Sequence, residues 1–446
     1  DKPLVLVSFA DMKGLEKTPD LLRKASAVIL AHDGQEAVQQ YVADLLLGKA
    51  YADGRLSVPL GDVFAEGTGV IVDPEHPRTC SPEELGMDSS VLARIDDIAE
   101  EGIREGAFPG CHVLILKDGM PVYDKCFGKH TYEGNRKTLE SDIYDLASLT
   151  KVTATLLAVM KLYDEGRIGL TDRVSDYLPY LKQTDKSRIT VQDLLFHQSG
   201  LPAYLPFYQE AIDLKSCKGG LFRKKRDSNH PFRVGENLYA CTSFSYKPEW
   251  VSSVPSEAYP LQVSDSIFIK ESFRGEIIRQ IVDARVKGSS YRYSCLNFML
   301  LKELVETLAG KPMDVYLDSV FYKPMGLIHT AFNPLARFGK DRIVPTVEED
   351  FIRRGPLQGF VQDEAAAFMG GVSGNAGLFS SAHDVARICQ MLLDKGVCGD
   401  RRYLSRATCE LFTTLKAKHS RRGLGFDKPD TEHPEDGPCA AEAPAS

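Results

Sequence analysis

The chain has no apolar run approaching the roughly 18 residues that cross a bilayer, so no membrane-spanning helix is expected. It has neither an initiator Met nor a signal-peptide pattern, opening instead on DKPLVLVSFA, which reads as a cut start. Its ten cysteines (Cys80, Cys111, Cys126, Cys217, Cys241, Cys295, Cys389, Cys398, Cys409 and Cys439) form no CxxC pair and no Cys/His group at zinc spacing. They give no metal site and leave the redox compartment open. An excess of positive charge is lacking as well, with a net charge of −8 and one short basic run, FRKKRD at 222–227. That run reads as a solvated loop, and no nucleic-acid partner is expected.

What the chain does have is bulk: 446 residues, 43% of them hydrophobic, enough for two or three domains with their own cores. Residues 2–9 (KPLVLVSF) and 26–31 (SAVILA) are short β-branched runs suited to buried parallel strands. TPDLLRKA between them fits a short helix, and 34–50 fits a longer amphipathic helix closing near Gly48. This βαβα fragment of residues 1–65 is too small for a complete doubly wound sheet. Residues 66–82 are turn-rich and read as a linker.

From residue 83 to 446 the pattern is α+β. SPEELGMDSSVLARIDDIAEEGIREG predicts a helix opened by a Ser81/Glu84 capping box, followed by a hairpin turning at Lys117, Asp118 and Gly119. RITVQDLLFHQSGLP predicts a helix stopping at Ser199-Gly200, and SCLNFMLLKELVETLAG a long one ending at Gly310. Residues 380–396 predict another, opened by a Ser381/Asp384 box. Residues 203–290, rich in Ser, Tyr and Pro with weak periodicity, read as a large insertion or lid of mixed structure.

The stretch ASLTKVTATLLAVMKL at 147–162 is apolar almost all round, which predicts a buried helix with Lys151 in its first turn. Burial strips hydration from an ammonium, and the positive end of the helix dipole lies beside it. Both effects favour the neutral amine, which is a base. Ser148 lies three residues earlier, on the same helical face, where that amine can take its proton. The SxxK spacing alone fits a capping serine and a snorkelling lysine equally well.

The chain from residue 83 resembles the serine β-lactamase and penicillin-binding-protein superfamily, in particular its class C-like branch of esterases, D-amino-acid peptidases and β-lactamases. The resemblance rests on FPGCHVLILKDG at 108–119, SLTK at 148–151, DEGRIGLTDRVSDYLP at 164–179, ITVQDLLFHQSGLP at 189–202, YKPMGL at 322–327 and GNAGLFSSAHDVARI at 374–388. It implies an antiparallel sheet with a helical region, and an acyl-enzyme formed on Ser148 without metal or organic cofactor. The family's Tyr-x-Asn motif matches Tyr293-Ser294-Cys295, which implies that Tyr293 relays protons with Lys151 close by. Cys295 stands where the family has Asn, a substrate-binding position, and a thiol is a poor substitute for an amide that both donates and accepts.

The family's third motif, Lys or His, then Thr or Ser, then Gly, is not found. Lys186-Ser187-Arg188, Lys215-Ser216-Cys217, His329-Thr330-Ala331 and His419-Ser420-Arg421 all lack the glycine. By the resemblance, the chain is expected to stop short of that strand. His197 has no convincing acidic partner, and HQSGLP is expected to be a structural turn. The glycines of GGVSGNAG at 370–377 point to tight packing, since a phosphate loop would need a lysine and a preceding strand.

Residues 1–65, with SAVILAHDGQEAVQQYVADLLLGKAYADGRLSVPLG, resemble the end of the C-terminal α/β domain of family 3 glycoside hydrolases. No glycosidase carboxylate is carried over, because those lie on a preceding barrel. The pairing implies a bacterial fusion acting on peptidoglycan or its fragments at the envelope, periplasmic or exported. Two other readings follow from the same features: a β-N-acetylglucosaminidase whose activity lies outside this chain, and a non-catalytic penicillin-binding-like module.

Overall fold

The structure is a computed structural model and describes residues 4–10, 12–46, 50–72, 81–399, 401–418 and 420–429. Gly48, Cys80, His419, Cys439 and residues 73–80 of the expected linker lie outside the described residues. The chain divides into two compact units: Asp1–Ile98 with Val113–Lys125, and Ala99–His112 with Cys126–Ser446.

In the first unit, strands Val5–Ser8 and Ala27–Leu30 pair in parallel, Val5 opposite Ala27, as their β-branched runs predict. They are less buried than expected, with Val5 41% exposed, because a two-stranded sheet has little to cover its faces. Helices Pro19–Lys24 and Glu36–Leu46 follow the sequence pattern. The helix expected from residue 81 is broken in three. The Ser81/Glu84 box is present, but it opens only a 3₁₀ turn, Pro82–Leu85, which Gly86 ends at φ 72°. Asp88 then caps Ser89–Leu92, and Arg94–Arg104 comes next. A glycine at positive φ overrides the local helix propensity on either side of it. The hairpin is formed by Gly110–Lys117 and Met120–Gly128, turning through Asp118 and Gly119, both at positive φ.

The second unit is built around the segment Lys151–Asp164, a wide π-helical turn at Lys151–Thr155 that runs into an α-helix at Leu156–Asp164. Leu156 through Met160 are wholly buried, as the all-round apolar pattern requires. Helices Cys295–Ala309, Met313–Leu317 and Arg406–Thr414 pack on it. Gly310, at φ 68°, ends the Cys295 helix where the sequence predicts. The α+β class is confirmed by small antiparallel sheets among these helices. The one that matters for the site joins Tyr144–Asp145, Leu378–Ser380 and Ala331–Phe332, with Asp145 opposite Phe379.

Two helix boundaries differ from expectation. The helix of RITVQDLLFHQSGLP is Val191–Leu195 and stops at His197, φ 55°, before reaching Ser199-Gly200. The Ser381 side chain does accept from Asp384 N at the start of Ala382–Leu393. The Asp384 carboxylate, however, takes His329 N and Thr330 Oγ1, both at 2.7–2.8 Å, so the return half of that box gives way to a longer-range contact.

Residues 203–290 carry three small sheets, 212–213 with 245–246, 222–240, and 251–269, and a regular helix, Phe273–Asp283. Phe273, Ile277 and Ile281 bury one face of that helix in the same core as Leu156. Four rings of the segment, Tyr208, Phe222, Phe232 and Phe244, surround Phe351 at centroid distances of 5.8–6.0 Å. The insertion is therefore sewn into the core.

Candidate active site

Ser148 lies in a 3₁₀ turn, Ala147–Leu149, immediately before the buried segment, and its side chain is exposed. The turn is held from the sheet behind it. Leu146 N donates to Leu378 O at 3.0 Å, and Thr150 Oγ1 accepts from Leu378 N at 3.1 Å. Asp145 accepts from Ala147 N at 2.9 Å and Gln362 N at 2.7 Å, and its burial pushes its carboxyl above the usual range. Ala147 is forced to φ 45°, a left-handed conformation that costs an L-residue about 1–2 kcal/mol. That strain sits directly beside Ser148.

Lys151 is 2% exposed, and its Nζ donates to Ser148 Oγ at 3.0 Å and to Asn375 O at 2.9 Å. The π-helical turn frees backbone carbonyls that the surroundings take up: Tyr322 Oη donates to Thr153 O at 3.0 Å. Thr155 Oγ1 donates to Gly374 O at 2.8 Å, tying the helix to the GGVSGNAG loop. That loop does pack tightly, since a Cβ on Gly374 would lie 1.9 Å from Phe298 O.

Tyr293 reaches the same hydroxyl from the other side, with Oη donating to Ser148 Oγ at 3.1 Å. Lys151 Nζ is 5.2 Å from the Tyr293 ring centre, within cation–π range. Cys295, the first residue of its helix, has its thiol facing the Lys151 amine and the Asn375 carboxamide, and burial pushes that thiol upward. The four residues singled out in the sequence thus come together.

Three participants were not singled out as site residues. His197 is fully buried beneath Tyr293, ring centroids 4.7 Å apart. Its Nδ1 accepts from Ser294 N at 3.1 Å and from Asn297 Nδ2 at 3.0 Å, while Arg422 Nη2 lies 3.3 Å from Nε2. Burial first, then the Arg422 and Lys151 charges, push its pKa down to about 3. A neutral ring held by two donors at Nδ1 makes a platform, in keeping with the structural role expected for HQSGLP. Asn375 supplies the second Lys151 acceptor from its backbone, which no side-chain pattern reports. Arg422, 6% exposed, sets its guanidinium 5.9 Å from the Tyr293 ring centre. Of the near-matches to the third motif, Lys186 is spent elsewhere: its Nζ binds Asp185 at 2.6 Å, Val282 O at 2.9 Å and Ala284 O.

This geometry is accompanied by family relationships. The Beta-lactamase family model matches residues 95–429. A protein of Salmonella typhi described as a putative D-alanyl-D-alanine carboxypeptidase is 31% identical over 379 residues, spanning 79% of this chain and 76% of its own. One of Escherichia coli K12 with the same description is 30% identical over 371 residues, spanning 78% and 74%. Among solved structures, the octameric penicillin-binding protein homologue from Pyrococcus abyssi is similar with a TM-score of 0.51 and 21% identity, covering 75% of this chain and 64% of that one. The chain belongs to the β-lactamase family. It is a serine hydrolase with the β-lactamase/transpeptidase-like fold.

Proposed function

We propose that Ser148 is the nucleophile of this hydrolase, Lys151 its base and Tyr293 the relay that delivers the proton to the leaving group. The observation that carries this is the convergence on one exposed hydroxyl of Lys151 Nζ at 3.0 Å and Tyr293 Oη at 3.1 Å. Both are within the reach that proton transfer requires. As Ser148 Oγ attacks the substrate carbonyl its proton passes to Lys151, and the departing group is protonated through Tyr293. Water then attacks the acyl-enzyme, and its proton returns along the same pair. These steps use only side chains of this chain.

The substrates we infer are esters or amides of D-amino-acid peptides and related peptidoglycan fragments, supported by the carboxypeptidase descriptions of the two enterobacterial relatives. We read Cys295 as a substrate-binding position from its place in the family's Tyr-x-Asn pattern, where a thiol in place of an amide weakens recognition of a substrate amide carbonyl. An envelope location, periplasmic or exported, accords with such substrates; no helix among the described residues is long and apolar enough to cross a membrane. We also read residues 1–65 as the end of a family 3 glycoside hydrolase domain, 66–82 as a linker and 83–446 as the hydrolase with its 203–290 insertion. The parallel pairing of Val5–Ser8 with Ala27–Leu30 supports the first assignment.

The test is labelling of the full chain with a fluorophosphonate and with a β-lactam. A label on Ser148 that disappears in Ser148→Ala is the expected result; an intact chain that takes neither label overturns the assignment. Assay on an aminosugar glycoside, with Ser148→Ala as control, separates any glycosidic activity from this site.

A further inference from the structure

Asn375 is completely buried, and its carboxamide is oriented by Ser373, whose Oγ donates to Asn375 Oδ1 at 2.7 Å. That leaves Asn375 Nδ2 as a donor with no hydrogen-bond acceptor among the described residues. Buried donors are nearly always paired, so an orphan of this kind, fixed in direction, marks a place for an acceptor. What it faces is the Cys295 thiol, which also faces the Lys151 amine. A thiol accepts hydrogen bonds weakly; an oxygen on that sulfur would accept them well. Cys295 is partly exposed, so a small oxidant can reach it, unlike the buried Cys217, Cys241 and Cys409.

We propose that Cys295 is an oxidative modification site that gates the hydrolase: a peroxide converts its thiol to a sulfenate, whose oxygen is received by Asn375 Nδ2 and the Lys151 ammonium, drawing Lys151 away from Ser148. The gate rests on the assignment of Lys151 as the base of Ser148. In the step itself the sulfur attacks one peroxide oxygen, an S–O bond forms and the O–O bond breaks. The sulfur is oxidised by two electrons, and the peroxide leaves as water, or as an alcohol from an alkyl hydroperoxide, carrying the thiol proton. The sulfenic acid then gives its proton to the Lys151 amine, leaving a sulfenate beside an ammonium that can no longer act as a base. The thiolate is the reacting species; burial, joined by the Asp363 carboxylate, disfavours it and outweighs the help of Lys151 and Asn375, so oxidation is slow at neutral pH and quickens as pH rises. A thiol reductant returns the sulfenate to the thiol and releases Lys151.

The experiment exposes the full chain to hydrogen peroxide, traps sulfenate with dimedone and maps the adduct by peptide mass, with hydrolysis of a chromogenic ester followed in parallel. The expected result is an adduct on Cys295, a fall in hydrolysis of at least about tenfold, and recovery with dithiothreitol. In Cys295→Ser, whatever its starting rate, peroxide leaves hydrolysis unchanged. In Asn375→Ala the sulfenate has lost its oriented donor, and recovery with dithiothreitol becomes incomplete as oxidation runs on to the sulfinate. An adduct with unaltered hydrolysis overturns the gate, as does a Cys295→Ser enzyme as peroxide-sensitive as its parent. A fluorophosphonate-labelled Ser148 with no adduct on Cys295 overturns the gate alone, whereas an unlabelled Ser148 in the untreated chain overturns the hydrolase assignment beneath it.

Discussion

Tyr293 lies against His197 with 31° between the ring planes and 4.7 Å between their centres, so the residue that reaches Ser148 rests on an imidazole that must stay uncharged. The folded protein holds His197 near pKa 3, below its ordinary 6.5, through burial and the neighbouring cations. Between those values the unfolded chain takes up a proton that the folded chain refuses. Stability is therefore unaffected above pH 6.5 and falls as pH drops below it, by up to about 1.4 kcal/mol per pH unit from this group. Urea midpoints measured from pH 8 to pH 5 should show that slope, and His197→Asn should lessen it; an unchanged slope in the variant would place its origin elsewhere.

The three groups around the Ser148 hydroxyl should separate kinetically. Ser148→Ala is expected to lower kcat/KM by about 10⁴-fold or more, and Lys151→Met by a similar amount, since members of one catalytic unit are not additive. Tyr293→Phe keeps the ring stacked on His197 and removes only the Oη contact, so a loss of about 10²- to 10⁴-fold in kcat with an unchanged fold is expected. Steady-state kinetics on a chromogenic ester, with circular dichroism of each variant, reads this directly. A Tyr293→Phe enzyme at full rate would remove the relay role.

Gly374→Ala should be unusually damaging for so small a change. The added methyl meets Phe298 O, a backbone atom of a buried helix that has no room to retreat. Overpacking of this kind costs about 1–3 kcal/mol. It also shifts the neighbouring Asn375 O away from Lys151, so ester hydrolysis should fall further than the drop in urea midpoint explains.

Ala147→Val places a β-branched side chain at φ 45°. We expect a loss of about 2 kcal/mol or more, the range in which strained backbone positions lie. Ala147→Gly should relax the same turn and leave the urea midpoint no lower than the parent's, because relief of strain offsets the greater freedom of glycine in the unfolded chain. A tolerated valine would mean that the turn is not held as Asp145 and Leu378 hold it here.

Lys186→Met tests how firmly the 203–290 segment is tied down. This fully buried lysine reaches the carbonyls of Val282 and Ala284 at the end of the helix Phe273–Asp283, as well as Asp185. Removing the amine leaves two partly buried carbonyls without their donor, while Asp185 can turn to solvent, and a cost of about 1–3 kcal/mol is expected. Differential hydrogen exchange should localise the loosening to residues 273–286.

Much of the site was legible because its chemistry is local in sequence. Ser148 and Lys151 are three residues apart in an apolar stretch, and a buried lysine is conspicuous wherever it occurs. Tyr293 and Cys295 came from resemblance alone, since nothing in YRYSCLNF shows that it will meet residue 148. His197 was visible as a turn but not as a platform, because stacking on Tyr293 is a contact across some hundred residues. The backbone carbonyl of Asn375 leaves no trace in side-chain patterns. In the fold, the Phe273, Ile277 and Ile281 stripe of a true helix was present at i, i+4 and i+8 but was masked by the polar segment around it. Gly86 shows the converse case, where one residue at positive φ divided what periodicity joined.

The wide turn at Lys151–Thr155 has a consequence for how this site can vary. A π-helical turn holds more residues than an α-helical one, so a chain position is stored inside a buried helix with no loop to absorb its removal. Deleting Val152 would let the turn tighten to α-helical and draw Thr153 O back into the helix, away from Tyr322 Oη. A change of length between Lys151 and Leu156 therefore remakes the buried turn that carries the lysine, and with it the contact between Tyr322 and Thr153.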